Sequence, residues 1–472
     1  MYTFIASIIL LIVGYIVYGR VVERVFGVDV NRKTPALTNP DGVDYVPLPW
    51  WRVFLIQFLN IAGLGPIFGA IMGAMYGPSA FLWIVFGSIF AGGVHDYFSG
   101  MLSLRHNGAS LPEFVGAELG NHVKRFMRVF SLVLLVLLAT VFISGPADIL
   151  NGLVPSVSTT WWIVMVFSYF ILATLLPIDK VIGHVYPLFG AALLFMALGI
   201  MVVMFINGAP IPEVTDGLAS RHPKGYPLFP MMFVSIACGA ISGFHATQSP
   251  LMARCIQNEK YGRRCFYGAM IAEGVVALIW AAAASSFWGS VDGFTHFMSE
   301  HNNSAAVVVN TISQNWLGIV GGILAVLGVV AAPITSGDTA LRSARLIVAD
   351  FMHINQKRII NRLAIGLPLF LICFCLLQVD FSIIWRYFAW CNQTLAVFTL
   401  WAITVWLARE KKCYWISLIP ALFMTAVCSC YIFVAPEGFN LPLWTGYLAA
   451  GIVCTLFIGL FSRFFIKLQK SK

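Results

Sequence analysis

Charge is scarce in this chain. Asp, Glu, Lys and Arg make up 10% of its 472 residues, against roughly 25% in a typical soluble domain. Acidic residues are the scarcer sign, 20 in all. There is no G-x-x-x-x-G-K-[ST] loop and no H-E-x-x-H helix, so neither a P-loop ATPase nor that class of zinc enzyme is written here. No complete catalytic triad or metal set is visible, and an enzyme is not expected. The polar–apolar alternation of outer-membrane strands is also missing. The first apolar run lacks a basic n-region, and no A-x-A site precedes Gly19-Arg20, so it reads as a retained helix rather than a cleaved leader. Ten cysteines are scattered along the chain. Cys373/Cys375 and Cys428/Cys430 lie inside apolar runs and read as small buried hydrophobes rather than redox or metal pairs.

What fills the chain is apolar sequence: 59% hydrophobic residues at a mean hydropathy of +0.85. Long apolar runs of this kind predict an all-α polytopic membrane protein. About thirteen spans are expected, near 3–19, 52–77, 80–103, 127–147, 161–177, 184–206, 227–250, 266–288, 317–338, 362–379, 382–407, 413–434 and 443–466. With the N-terminus outside, 26 of the 29 Lys and Arg fall on inner segments and helix ends; only Arg221, Lys224 and Arg386 do not. That asymmetry places the C-terminus in the cytoplasm. It also accounts for the net charge of +9 as membrane topology, so the lipid bilayer and not nucleic acid is the expected partner.

Two of the spans are interrupted. One carries Asn60-Ile61-Ala62-Gly63-Leu64-Gly65-Pro66, the other Gly239-Ala240-Ile241-Ser242-Gly243-Phe244-His245-Ala246-Thr247-Gln248-Ser249-Pro250. Gly and Pro break the helical hydrogen-bond ladder, and irregular backbone at bilayer depth is tolerated only where protein or a cavity covers it. Paired interruptions in two halves of a chain point to the binding site of a secondary transporter. The breaks fall in the second and seventh spans, an odd offset, so a second five-helix unit would be inverted relative to the first. The expected organisation is a leading helix and loop (1–51), a first half (52–206), an outer connection (207–226), a second half (227–407) and two trailing helices (408–472). Each half has a long polar connection after its second helix. In the first, Ser110-Leu111-Pro112-Glu113 reads as a capping box; in the second, 304–316 reads as helix. This layout resembles the LeuT-type fold of the amino acid–polyamine–organocation superfamily, a 5+5 inverted repeat.

Candidate functional residues cluster around the breaks. A half-helix N-terminus at Gly63 and Gly65 would offer N–H groups to a carboxylate, and Asn60 could add an amide donor. Ser242, Gly243, His245, Thr247 and Gln248 are unusually polar for mid-membrane sequence; His245 reads either as a substrate or proton ligand or as a structural histidine. The third span holds His95 and Asp96. A carboxylate in a span costs about 2.5–3.5 kcal/mol on insertion scales, so Asp96 asks for a partner; as helix neighbours the two point about 100° apart and need not pair. Both are candidates for coupling or gating, or for a structural clamp. In the ninth span Asp338 is the first candidate for ion coupling, with an i+4 pair to Arg342 as the alternative. The resemblance to the LeuT-type fold makes this the eighth core helix, and by that helix order it implies a sodium site formed by Thr335, Ser336 and Thr339 with carbonyls of the first broken helix.

Three segments carry a closer likeness. Residues 27–49 (GVDVNRKTPALTNPDGVDYVPLP), 56–78 (IQFLNIAGLGPIFGAIMGAMYGP) and 91–113 (AGGVHDYFSGMLSLRHNGASLPE) resemble the CstA carbon-starvation protein family. The resemblance implies a multi-pass protein of the bacterial inner membrane that imports pyruvate, or peptides, during carbon starvation, with H+ as the coupling ion or Na+ as the alternative and no other cofactor. A nutrient sensor is the reading from another class. Oligomeric state is not written in the sequence.

Overall fold

The computed structural model describes residues 1–175, 178–301, 303–379 and 381–470. Among these the chain is almost entirely helical, with one isolated parallel β-bridge between Leu48 and Ile256. In chain order the elements that matter are α1 (Tyr2–Phe26), α2 (Trp50–Ile61), α3 (Gly65–Ala74), α4 (Ser79–Arg105), α5 (Leu111–Leu119), α6 (Asn121–Leu153), α7 (Thr159–Leu175), α8 (Ile178–Ile206), α9 (Leu228–Ala253), α10 (Glu259–Phe287), α11 (Val291–Glu300), α12 (Ala305–Leu324), α13 (Ala331–Met352), α14 (Ile359–Leu376), α15 (Phe381–Arg409), α16 (Trp415–Val434) and α17 (Leu443–Lys470).

Among the described residues ten helices are long and apolar enough to cross a membrane, and α2 with α3 forms an eleventh span bent by 55°. Eleven of the thirteen expected spans are recovered. The two others are helical but differ in form. Of the run 161–177, the apolar helix found among the described residues is Thr159–Ala173, and 176–177 lie outside the described residues. The run 317–338 is divided among α12, a widened turn at Ala325–Val330, and the start of α13.

The bundle buries its less apolar spans, such as α4 and α15, and leaves apolar α1, α14 and α17 largely outside. The α17 face carrying Trp444, Leu448, Ile452, Leu456 and Leu460 is exposed, as a lipid-facing helix must be. The ends are also sorted. At one end Arg105 pairs with Glu259 at 3.1 Å, Arg263 with Glu23 at 2.9 Å and Arg409 with Glu118 at 3.0 Å. At the other end the Glu213 carboxylate receives the Met1 ammonium and the Tyr2 and Thr3 N–H groups. There too the Arg221 N–H donates to the Tyr76 carbonyl.

The expected capping box at Ser110 is not formed. Helix α5 does begin after Ser110 with Pro112 in its first turn, but no side-chain cap bond is made. Glu113 turns instead to Arg128 at 2.6 Å and to Lys124, because two cations of α6 offer a carboxylate more than one backbone N–H does. The polar connection of the second half is helical as expected, through α11 and the start of α12.

Candidate functional site

The two interrupted helices meet in the centre. Helix α2 ends at Ile61 and the chain restarts at Gly65. Helix α9 is interrupted between Gly239 and Gly243, with Ser242 in extended conformation. The breaks touch: a β-carbon on Gly65 would overlap the Cys238 side chain. Gly243 has no room either, since a β-carbon there would strike the Asn392 carbonyl and Leu395 of α15. Gly243 is needed for close approach of backbones and Gly65 for room beside the Cys238 side chain, neither for an unusual dihedral.

Helix α15 closes the second break. The Asn392 Oδ1 accepts from Phe244 N–H at 2.7 Å and from Ser242 Oγ at 3.0 Å. Gln393 Nε2 donates to the Ile241 carbonyl at 3.0 Å. A side-chain amide thus takes over the backbone groups that the break releases. Neither Asn392 nor Gln393 was anticipated. Two adjacent carboxamides in an apolar run were the available signal, and it was passed over.

Beneath this lies a chain of four ionisable side chains, all fully buried. Asp96 sits in the middle. One carboxylate oxygen lies 2.7 Å from His95 Nδ1 and the other 2.9 Å from His245 Nδ1. The far nitrogen of His245 lies 3.4 Å from Glu273 Oε2 on α10. His95 and Asp96 do pair, although helix geometry does not require it. They follow a widened turn at Gly87–Gly92, and the short Asp side chain accepts from the imidazole directly beside it. Glu273 was missed, although the argument applied to Asp96 holds equally for a lone Glu in the run Ala272-Glu273-Gly274. Both Glu273 oxygens, His245 Nε2 and His95 Nε2 have no hydrogen-bond partner among the described residues.

All the other anticipated residues are buried. Asn60 lies in the last turn of α2, and among the described residues neither of its amide atoms has a hydrogen-bond partner. Gly63 faces the Phe142 ring and Ser336. Thr247 Oγ1 donates to the Phe244 carbonyl at 2.7 Å and accepts from Gln248 Nε2 at 2.9 Å. Gln248 Nε2 also reaches Ser343 of α13 at 3.3 Å. On α13, Ser336 Oγ donates to the Leu59 carbonyl of the first broken helix at 2.9 Å. Thr335 and Thr339 instead donate to carbonyls of their own helix. Asp338 lies on the same helix, between Ser336 and Arg342, and is fully buried. The guanidinium of Arg342 turns to Asp44 and to the Ala173 carbonyl.

A helical bundle with two broken helices crossing at a buried polar centre defines the class of membrane carriers. In fold the chain is similar to a manganese transporter of Eremococcus coleocola, which superposes at TM-score 0.54 with 12% identity, covering 92% of this chain and 99% of that one. The model of the carbon starvation protein CstA family matches residues 1–160 and 146–320, and the chain belongs to that family. A membrane protein of Haemophilus influenzae is 42% identical over 336 residues, 60% of this chain and 91% of that one. The pyruvate/proton symporter BtsT of Escherichia coli is 29% identical, covering 60% of this chain and 48% of that one. The peptide transporter CstA of Campylobacter jejuni is 28% identical, covering 59% and 49%. The match thus spans about half the length of these two named relatives.

Proposed function

We propose that this protein is a proton-coupled secondary transporter that imports a small carboxylate, pyruvate or a short peptide, across the cytoplasmic membrane. The basic end of the bundle would face the cytoplasm. The observation that carries this reading is the buried chain His95–Asp96–His245–Glu273, which touches the second broken helix through His245. With Asp96 ionised, both Nδ1 atoms donate to it. His245 Nε2 then either accepts a proton from Glu273 or, as imidazolium, stands between two carboxylates. One proton gained or lost changes the net charge of a sealed cluster, and in a low dielectric that change is felt strongly. Uptake of a monoanion with a proton would move no net charge.

Asn60, Gly63 and Gly65 at the first break, with Ser242, Gly243, Thr247 and Gln248 at the second, would hold the substrate. The unpaired amide of Asn60 is the strongest support for a ligand there, because a buried carboxamide without partners costs about 1–3 kcal/mol until something bonds it. Asp338 would act as a second titratable group on α13. A sodium site is the alternative, and the Ser336 bond to the Leu59 carbonyl favours it; the self-satisfied hydroxyls of Thr335 and Thr339 weigh against it.

The deciding experiment is uptake of labelled pyruvate, and separately of dialanine, into proteoliposomes under an inward pH gradient or an inward sodium gradient. Uptake driven by the pH gradient alone is expected. Uptake driven only by sodium would move the ion site to Ser336, and no uptake of either compound by folded protein would refute the transport reading.

A further inference from the structure

Two arginines on α13 are among the largest fully buried side chains of the chain. Arg342 and Arg345 are three residues apart and so share a helix face. Both address one carboxylate: Asp44 Oδ1 lies 3.6 Å from Arg342 Nη1 and 3.5 Å from Arg345 Nη2. These are ion-pair distances without hydrogen bonds. Arg342 Nε and Nη1, Arg345 Nε and Nη2, and Asp44 Oδ1 have no hydrogen-bond partner among the described residues. The remaining terminal nitrogens are occupied, Arg342 Nη2 by the Ala173 carbonyl and Arg345 Nη1 by Gln356. Two cations therefore share one anion, and four donor nitrogens stay empty in a buried place. A structural arginine–carboxylate pair closes into short, forked bonds; a guanidinium pair left this open is suited to a further planar monoanion.

Its position is also informative. Arg342 stands six residues beyond Ser336, about 9 Å along the helix from the first break, and Arg345 about 13 Å. Further along α13 an open pocket of about 470 Å³ is lined in part by Tyr45, Arg254, Ala349 and Asp350. Asp44 comes from outside the bundle, on a loop that closes this end. Asp41 Oδ1 accepts from the N–H groups of Val43, Asp44 and Tyr45 and so shapes the turn. Leu48 N–H donates to the Cys255 carbonyl at 3.0 Å, and the Cys255 thiol lies beneath the Asp44 carbonyl at 3.8 Å.

We propose that Arg342 and Arg345 form a second anion site between the helix breaks and the basic end, built to take the carboxylate of the transported molecule. Asp44 is its tethered occupant, holding the loop down while the path is shut. Arrival of a substrate carboxylate displaces Asp44, and the loop lifts from the cavity. This rests on the transport reading for the identity of the anion, but the displacement can be measured without transport.

Cys255 is a native reporter, buried under the loop. Its alkylation by N-ethylmaleimide is followed by peptide mass spectrometry, which separates it from the other cysteines, on full-length protein in detergent and in liposomes. In the wild type, pyruvate or dialanine is expected to speed Cys255 labelling about threefold or more, and uncharged pyruvamide to leave it unchanged. Asp44→Asn is expected to label at least about tenfold faster without added anion and to respond no further. Arg345→Lys keeps the charge but loses the fork, and should label at the raised rate with a weakened carboxylate response. Wild-type labelling rates in Asp44→Asn would overturn the latch. Fast labelling in Asp44→Asn with no carboxylate response in the wild type would overturn the anion site. Uptake measured on the same vesicles keeps the readings apart: loss of uptake with carboxylate-driven labelling intact refutes transport and leaves the anion site standing.

Discussion

His245 and Glu273 face each other at 3.4 Å across the contact between α9 and α10, and neither carboxylate oxygen of Glu273 has a hydrogen-bond partner among the described residues. The pair is close enough to exchange a proton once the gap tightens, and too open to be a finished structural bond. Coupling should therefore be separable from substrate binding. Glu273→Gln is expected to lower pH-gradient-driven accumulation at least about tenfold while leaving substrate exchange at zero gradient largely intact. Counterflow of labelled pyruvate measures the second quantity. Gradient-driven uptake at wild-type level in Glu273→Gln would rule this residue out of the coupling step.

Asn60 offers a test in which stability and function part company. Its amide is buried and has no hydrogen-bond partner among the described residues, so Asn60→Leu should be neutral in thermal stability or raise it by about 1 kcal/mol, while weakening substrate affinity at least about tenfold. Thermal unfolding in detergent, with and without substrate, checks both halves. A large loss of stability would mean that the amide is a structural bond made elsewhere in the transport cycle.

Asn392 should behave in the opposite way. Its Oδ1 satisfies both Phe244 N–H and Ser242 Oγ at the second break. Asn392→Ala leaves a buried N–H orphaned, at a cost of about 1–3 kcal/mol. Asn392→Asp keeps the acceptor but adds a buried charge, so it should not restore stability. The unfolding midpoints of the two variants decide this.

The glycine contacts set a steric limit. Gly243→Ala puts a methyl group into the Asn392 carbonyl and Leu395, and overpacking of this kind costs about 1–3 kcal/mol. Gly451, with open space where its β-carbon would stand, is the control: Gly451→Ala on α17 should be harmless or stabilising by up to about 1 kcal/mol.

Acid sensitivity should have a contribution from His222 in the 207–226 connection. Its ring lies 4.8 Å from those of both Tyr76 and Tyr226, and its Nδ1 accepts from Lys224 N–H. Burial, with the Lys224 charge adding to it, pulls the imidazole down to about 4. The folded state thus holds the neutral ring while the unfolded chain protonates near 6.5. The stability from this group is fully present above about 6.5 and is lost as pH falls from there towards 4. His222→Phe keeps the stacking and should flatten that part of the pH–stability profile; an unchanged profile would assign the acid sensitivity elsewhere.

The broken helices were legible in the sequence because Gly and Pro interrupt apolar runs in a way that no packed helix needs. His95, Asp96 and His245 were legible as polar residues at bilayer depth. Their connection was not, since nothing in the spacing of 96, 245 and 273 says that three helices bring them together. Ser336 was placed beside the first break by analogy of helix order, and its bond to Leu59 agrees. Asp44 escaped notice because it lies in a polar loop, where a carboxylate excites no suspicion until two buried arginines are found beneath it. The Ser110 capping box failed for a related reason: a local motif is outbid when distant cations such as Arg128 reach the same carboxylate.

The seating of Gly243 on the Asn392 and Ala396 backbone has a kinetic consequence. A barrier made of side chains can flicker open by rotamer jumps within nanoseconds. A barrier in which main chain rests on main chain opens only when whole helix segments part, a motion of microseconds to milliseconds. Ions should therefore not slip through this centre between cycles, and the slowest beat of the protein should be the separation of its helices.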